Sequence, residues 1–199
     1  MRITGGLLKG RVIKCPEGII RPAMDRMRES VFAILGDLSG KSWLDLFSGS
    51  GTIAIEAVSR GSKAVQLCEK DKVKIKQVLE NVSITEKELG VRIGCHFMAV
   101  ELFLKKCKNS FDYIFLDPPF PYKFRLDLLK IIEQRKLINP TGTVMIHFPE
   151  EDMLPKKIGN LVLSDKRIYG RSIVHFYKFE NGMSSDKAVA DNVKNEKNS

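Results

Sequence analysis

The stretch "LDLFSGSGTIAIEA", from Leu44 to Ala57, changes character in its middle. Its first four residues belong to a strand-like run that ends at Phe47, and Gly49 and Gly51 let the backbone turn sharply. From Thr52 the residues suit a helix, with small Ala54 where that helix must pack close to a sheet. A strand, a glycine turn and a helix in that order bring a ligand up to the backbone of the turn. Taken alone, G-x-G-x-x-A also fits a plain tight turn, so the surrounding chain decides what the stretch is for.

After Gly40 the pattern repeats: strand "WLDLF", helix from Thr52, strand "AVQLCE", helix from Asp71, strand "VRIGCHF", helix from Val100, strand "YIFLD", helix from Tyr122, strand "TVMIHF". Near-continuous apolar strands alternating with helices predict an α/β fold with a doubly wound, parallel sheet covered on both faces. The last two segments, "LVLSDKRIY" and "IVHFYKFE", are joined only by Gly170-Arg171-Ser172. That link is too short for a parallel crossover, so an antiparallel hairpin is expected at the sheet's end and the strand total is seven.

Ahead of the repeat, Arg2 to Pro16 reads as a small Gly-containing β-hairpin, and "AMDRMRESVFAILGDL" reads as an amphipathic helix ended by Gly40. Behind it, the stretch from Gly182 holds few large apolar residues and is expected to be disordered. The expected organisation is an N-terminal extension over 1–40, a catalytic domain over 41–181 and a tail over 182–199.

At 199 residues and 43% hydrophobic, the chain can bury one sizeable core. A net charge of +9 and a pI near 9.4 favour polyanionic partners. Four cysteines without a C-x-x-C pair read as free buried thiols, and His96, His147 and His175, far apart among apolar neighbours, read as structural and not as metal ligands. No apolar run approaches the roughly 18 to 20 residues of a membrane span. A cytoplasmic monomer with no metal and no membrane association is the expectation.

Two carboxylates sharpen the glycine turn. Glu69 closes the second strand, where it can accept hydrogen bonds from both ribose hydroxyls of an adenosine cofactor. Asp45, inside the first strand, suits a positively charged ligand better than a pyrophosphate, which it would repel. S-adenosylmethionine (SAM) carries a sulfonium and an ammonium.

The segment "FDYIFLDPPF", Phe111 to Phe120, ends the fourth strand on Asp117 and stiffens the turn beyond it with two prolines. An exocyclic amine on a nucleobase is a poor nucleophile, because its lone pair is delocalised into the ring. The Asp117 carboxylate and the Pro118 carbonyl can hold its N–H bonds and favour the pyramidal form, Pro119 keeps the turn rigid, and Phe120 offers a face for a flipped-out base. Residues 1 to 30 carry seven Lys and Arg against three Asp and Glu. Arg2, Lys9, Arg11, Lys14 and Arg21 are therefore candidates for phosphate contacts, as are Lys123 and Arg125 beyond the proline turn.

"DPPF" after a fourth strand with "LDLFSGSG" in the first resembles the amino methyltransferases of class I, whose Rossmann-like sheet has this strand pattern. "RITGGLLKGR" followed by "RPAMDRMRES" is similar to the bacterial small-subunit (16S) ribosomal RNA guanine-N2 methyltransferases, the RsmD family, over about residues 1 to 181. The resemblance implies SAM as methyl donor, S-adenosylhomocysteine as product, and a guanine of 16S rRNA in the small subunit or an assembly intermediate as substrate. It implies Asp117, Pro118, Pro119 and Phe120 as the target-amine site. Asp45, Phe47, Ser48, Gly49, Ser50, Gly51, Glu69, Lys70, Met98, Ala99 and Asp117 become cofactor contacts, and Arg21, Asp25 and Arg28 part of a segment folding over the pocket.

This chain departs from the family pattern at Ala23, where threonine is usual, and at Met98, where an aspartate commonly meets the cofactor adenine. An adenine-N6 DNA methyltransferase, a glutamine methyltransferase and a non-catalytic RNA-binding assembly factor remain alternatives. A nicotinamide dehydrogenase is disfavoured, because it has no use for the terminal hairpin or for D-P-P-F.

Overall fold

Five apolar runs separated by helices lie side by side as parallel strands: β1 (Ser42–Leu46), β2 (Ala64–Cys68), β3 (Ile93–His96), β4 (Phe111–Leu116) and β5 (Ile138–Pro149). The computed structural model describes residues 1–15 and 22–180. Arg21, the side chain of Ala23 and the 182–199 tail lie outside the described residues. Three antiparallel strands come next, β6 (Lys157–Ile158), β7 (Leu161–Tyr169) and β8 (Ser172–Phe179), giving the order β3-β2-β1-β4-β5-β8-β7-β6. The sheet therefore has eight strands and not seven. The extra one, β6, is two residues long, too short to show any alternation in sequence.

The pleat sorts the core into two layers. Leu44, Leu46, Ile114, Leu116, Val144 and Ile146 face α4 (Val100–Lys106) and α5 (Arg125–Gln134), packing with Phe103, Leu128 and Ile132. Trp43, Phe115, Met145 and Leu67 face α1 (Pro22–Leu35), α2 (Thr52–Ser59) and α3 (Lys72–Leu89) through Phe32, Ile55 and Val78.

Two helix boundaries differ from the sequence expectation. Helix α1 stops at Leu35 because Gly36 takes the left-handed conformation, φ 70°, four residues before Gly40. Helix α5 starts at Arg125 and not at Tyr122, because Tyr122 N–H donates to the Pro119 carbonyl and extends the proline turn instead.

The N-terminal hairpin is reduced to a single bridge between Arg2 and Val12, and it is seated on α2. Ile3, Leu8 and Ile13 are buried in the same apolar layer as Trp43. The glycine pair in "RITGGLLKGR" serves this docking: a Cβ on Gly6 would stand 1.9 Å from the Ser59 carbonyl oxygen, and Gly6 has φ +74°. Ser59 Oγ accepts from Leu8 N–H at 2.8 Å and donates to the Gly5 carbonyl at 2.6 Å.

Of the four cysteines, all are free, but only Cys68 and Cys107 are buried; Cys15 and Cys95 are partly exposed. Among the described residues no helix is long and apolar enough to cross a membrane.

Candidate active site

All five parallel strands point their carboxyl ends to one rim, and β8, antiparallel to β5 with Ser172 opposite Pro149, brings the β7–β8 turn to that rim as well. A cavity of about 960 Å³ opens there. Phe47, Gly49, Glu69 and Lys70 line one side, Asp117, Pro118, Pro119 and Phe120 the other. In α/β sheets the crevice beyond the strand ends is where ligands bind.

On the glycine side, β1 leaves the sheet through Phe47, a non-glycine residue at φ 63°, and turns through Gly49 (φ 58°) and Gly51 (φ 78°) into α2. A Cβ on Gly49 would meet nothing within 4 Å, so the turn's backbone is open to an incoming ligand. Glu69 is buried and braces the turn: Oε2 accepts from Gly49 N–H at 2.8 Å and Oε1 from Asp71 N–H at 2.9 Å. Each oxygen keeps a further lone pair for a ligand hydroxyl. Asp45 is also buried, and its Oδ2 accepts from Ala54 N–H at 3.2 Å. Burial, opposed by that hydrogen bond and reinforced by the Asp117 and Glu69 carboxylates, pushes Asp45 well above the usual carboxylate range. Asp45 itself is not among the described residues that line the cavity.

Ser50 Oγ shares a 2.7 Å hydrogen bond with Thr52 Oγ1, and the Ser50 carbonyl accepts from Asn81 Nδ2 at 3.0 Å. Ser48 is buried and its N–H donates to the Cys68 carbonyl at 3.1 Å. These contacts hold the turn's shape. Met98 packs against the apolar layer of α4 and α5, and its carbonyl accepts from the Cys68 thiol; Ala99 is the N-cap position of α4. Neither lines the cavity among its described residues.

On the proline side, Asp117 N–H donates to the Leu46 carbonyl at 3.2 Å, which carries the β1–β4 pairing one residue beyond the strands. The turn after it is gripped by Arg125. This guanidinium donates to the carbonyls of Pro119, Phe120 and Tyr122 and pairs with Asp152, and it is almost wholly buried. Among the described residues the Pro118 carbonyl accepts no hydrogen bond. Phe120 is 37% exposed at the cavity wall.

Several residues expected to contact RNA have other work. Arg125 braces the proline turn and is unavailable for phosphate. Arg28 is 1% exposed; it donates to the Arg2 carbonyl and pairs with Asp25 and the fully buried Glu56, so it locks the N-terminal segment to α1 and α2. Arg11 pairs with Glu88, and Lys14 lies 3.5 Å from Glu80. Arg2, Lys9 and Lys123 are exposed.

Sequence reasoning missed several contributors to the cavity wall, among them Asp71, Lys72 and Lys74 at the start of α3, Pro121 of the proline turn, Tyr169 to Ser172 of the β7–β8 turn, and His147 near the end of β5. His147 Nδ1 lies 2.8 Å from Asp117 Oδ1. Its place near the carboxyl end of a strand was the available signal.

A family model described as "Conserved hypothetical protein 95" matches residues 1–178. "Putative rRNA methyltransferase YlbH" of Bacillus subtilis is 34% identical, with 89% of this chain and 98% of the relative covered. "Ribosomal RNA small subunit methyltransferase D" of Escherichia coli K12 is 26% identical, covering 94% and 93%. A solved structure described as "Putative methyltransferase yhhF from Escherichia coli" superposes with a TM-score of 0.81 at 26% identity, over 90% of this chain and 98% of that one.

Proposed function

Because the chain belongs to the RsmD family of class I methyltransferases, we propose that it transfers a methyl group from SAM to the exocyclic N2 amine of a guanine in small-subunit (16S) ribosomal RNA. The relatives' described action on rRNA supports the substrate class, and the chain's charge of +9 agrees with it. The observation that carries the reading is the shared cavity: residues of the glycine turn and of the Asp117–Phe120 turn line one space.

The residues present fit the cofactor. The open backbone at Gly49 admits it, and Glu69 has acceptors to spare for a ribose. When bound, SAM supplies an electrophilic methyl group. The protein's part is placement. Asp117 and the Pro118 carbonyl accept the two N–H bonds of the target amine, turning its lone pair toward the glycine side of the cavity, and Phe120 stacks on the extruded base. As the new N–C bond forms, the methyl–sulfur bond would break to leave S-adenosylhomocysteine, and the proton the amine sheds would go to the Asp117 carboxylate.

Tritiated methyl transfer to small subunits lacking the modification, followed by mass spectrometry of the nucleosides, tests this. N2-methylguanine from the wild type and none from Asp117→Ala is expected. Equal incorporation by the two proteins would remove Asp117 from the mechanism, and methyladenine or methylglutamine as product would reassign the substrate.

A further inference from the structure

Resting on that reading of the site, we infer that His147 is the positioning residue that fixes the Asp117 carboxylate toward the target amine. The sheet makes the two neighbours: Leu116 of β4 pairs with Ile146 of β5, so the next residue on each strand, Asp117 and His147, stands abreast on the same rim. His147 Nδ1 and Asp117 Oδ1 are 2.8 Å apart. A carboxylate can only accept, so Nδ1 carries a proton and donates it. Nε2 is buried with no hydrogen-bond partner among the described residues, so the bond to Asp117 is the ring's one polar tie.

The bond has a consequence for chemistry. Asp117 lies just past the last residue of its strand, and its side chain is about a quarter exposed, so without an anchor it would sample several rotamers. Tying down Oδ1 leaves Oδ2 to face the substrate in one orientation. The imidazole also stands edge-on to Phe120, with ring centroids 5.7 Å apart at 65°, so one side chain sets both the acceptor for the amine and the ring on which the base stacks.

The test compares two substitutions by steady-state methyl transfer to unmodified small subunits. His147→Asn keeps an N–H donor near the position of Nδ1; His147→Leu keeps bulk but no donor. Expected are a fall in kcat of roughly 10- to 100-fold for His147→Leu, recovery to within roughly fivefold of wild type for His147→Asn, and a SAM dissociation constant by calorimetry within about twofold of wild type in both. A leucine variant as fast as wild type overturns the inference. So does an equal loss in the two variants, which would mean that ring packing and not the donated hydrogen bond matters. If the leucine variant does not fold, the asparagine variant decides: a loss beyond about tenfold in a folded protein that still binds SAM refutes the donor role. A wild type that methylates no guanine would sink the functional reading first, and this inference with it, whereas an active wild type with an indifferent leucine variant sinks the inference alone.

Discussion

Replacing Glu56 with alanine should cost this protein about 3–5 kcal/mol, the range for breaking a buried ion pair from one side. Glu56 is fully buried on α2 and ties Thr4 of the N-terminal segment to Arg28 and Arg60. It accepts from Thr4 N–H at 3.0 Å, from the Thr4 hydroxyl at 2.5 Å and from Arg60 Nε at 3.0 Å, and lies 3.2 Å from Arg28 Nε. Without it, Arg60 can turn to water, but Arg28, 1% exposed, keeps only the half-exposed Asp25 and the Arg2 carbonyl. Thr4 N–H also loses its acceptor, an omission that costs about 1–3 kcal/mol on its own and overlaps with the first loss. Urea unfolding observed through the fluorescence of Trp43, the chain's one tryptophan and itself buried, reads the change, and melting should drop by roughly 6–20 °C. The double variant Arg28→Met with Glu56→Leu removes both charges, so its loss should be smaller than the sum of the single losses by about 2 kcal/mol or more. A Glu56→Ala cost below about 1 kcal/mol, or a strictly additive cycle, would refute the assignment of Arg28 as a buried brace and return it to the pool of RNA contacts.

Gly49→Ala forces an L-residue to φ 58° and points a methyl group into open cavity, so calorimetry should show SAM binding weakened about tenfold, from some 1–2 kcal/mol of strain and crowding. Arg125→Met frees the carbonyls of Pro119, Phe120 and Tyr122; kcat for methyl transfer should fall at least about tenfold while SAM affinity stays within about twofold, because only the substrate side of the cavity loosens. Asp45→Asn reads the buried carboxyl. Because burial raises its pKa in the folded state above the reference 3.8, its favourable contribution is complete below the unfolded pKa and lost as pH rises through the folded one. The asparagine variant without ligand should therefore melt at least about 2 °C above wild type at pH 8, the gap closing as pH is lowered toward 4, while its SAM affinity drops.

Sequence alone determined the layered sheet and the order of its parallel strands along the chain. Apolar runs such as "YIFLD" and "AVQLCE" have no stable place except inside a sheet covered on both faces, and the short Gly170-Arg171-Ser172 link left β7 and β8 no option but to turn back on each other. Gly49, Gly51, Glu69 and Asp117 stand out in the sequence because each marks a local event, a turn or a strand tip. Only the tertiary structure decided what the charged residues are for. Arg28 and Arg125 look in sequence like Arg2 and Lys123, yet the first two are buried with carboxylate and carbonyl partners around their guanidinium groups while the others meet solvent. The partner of Asp117 was equally hidden: His147 comes within 2.8 Å of it from 30 residues away along the chain. A side chain's burial and partners are set by which elements the fold brings together, and that information resides in no window of the sequence short enough to show a period.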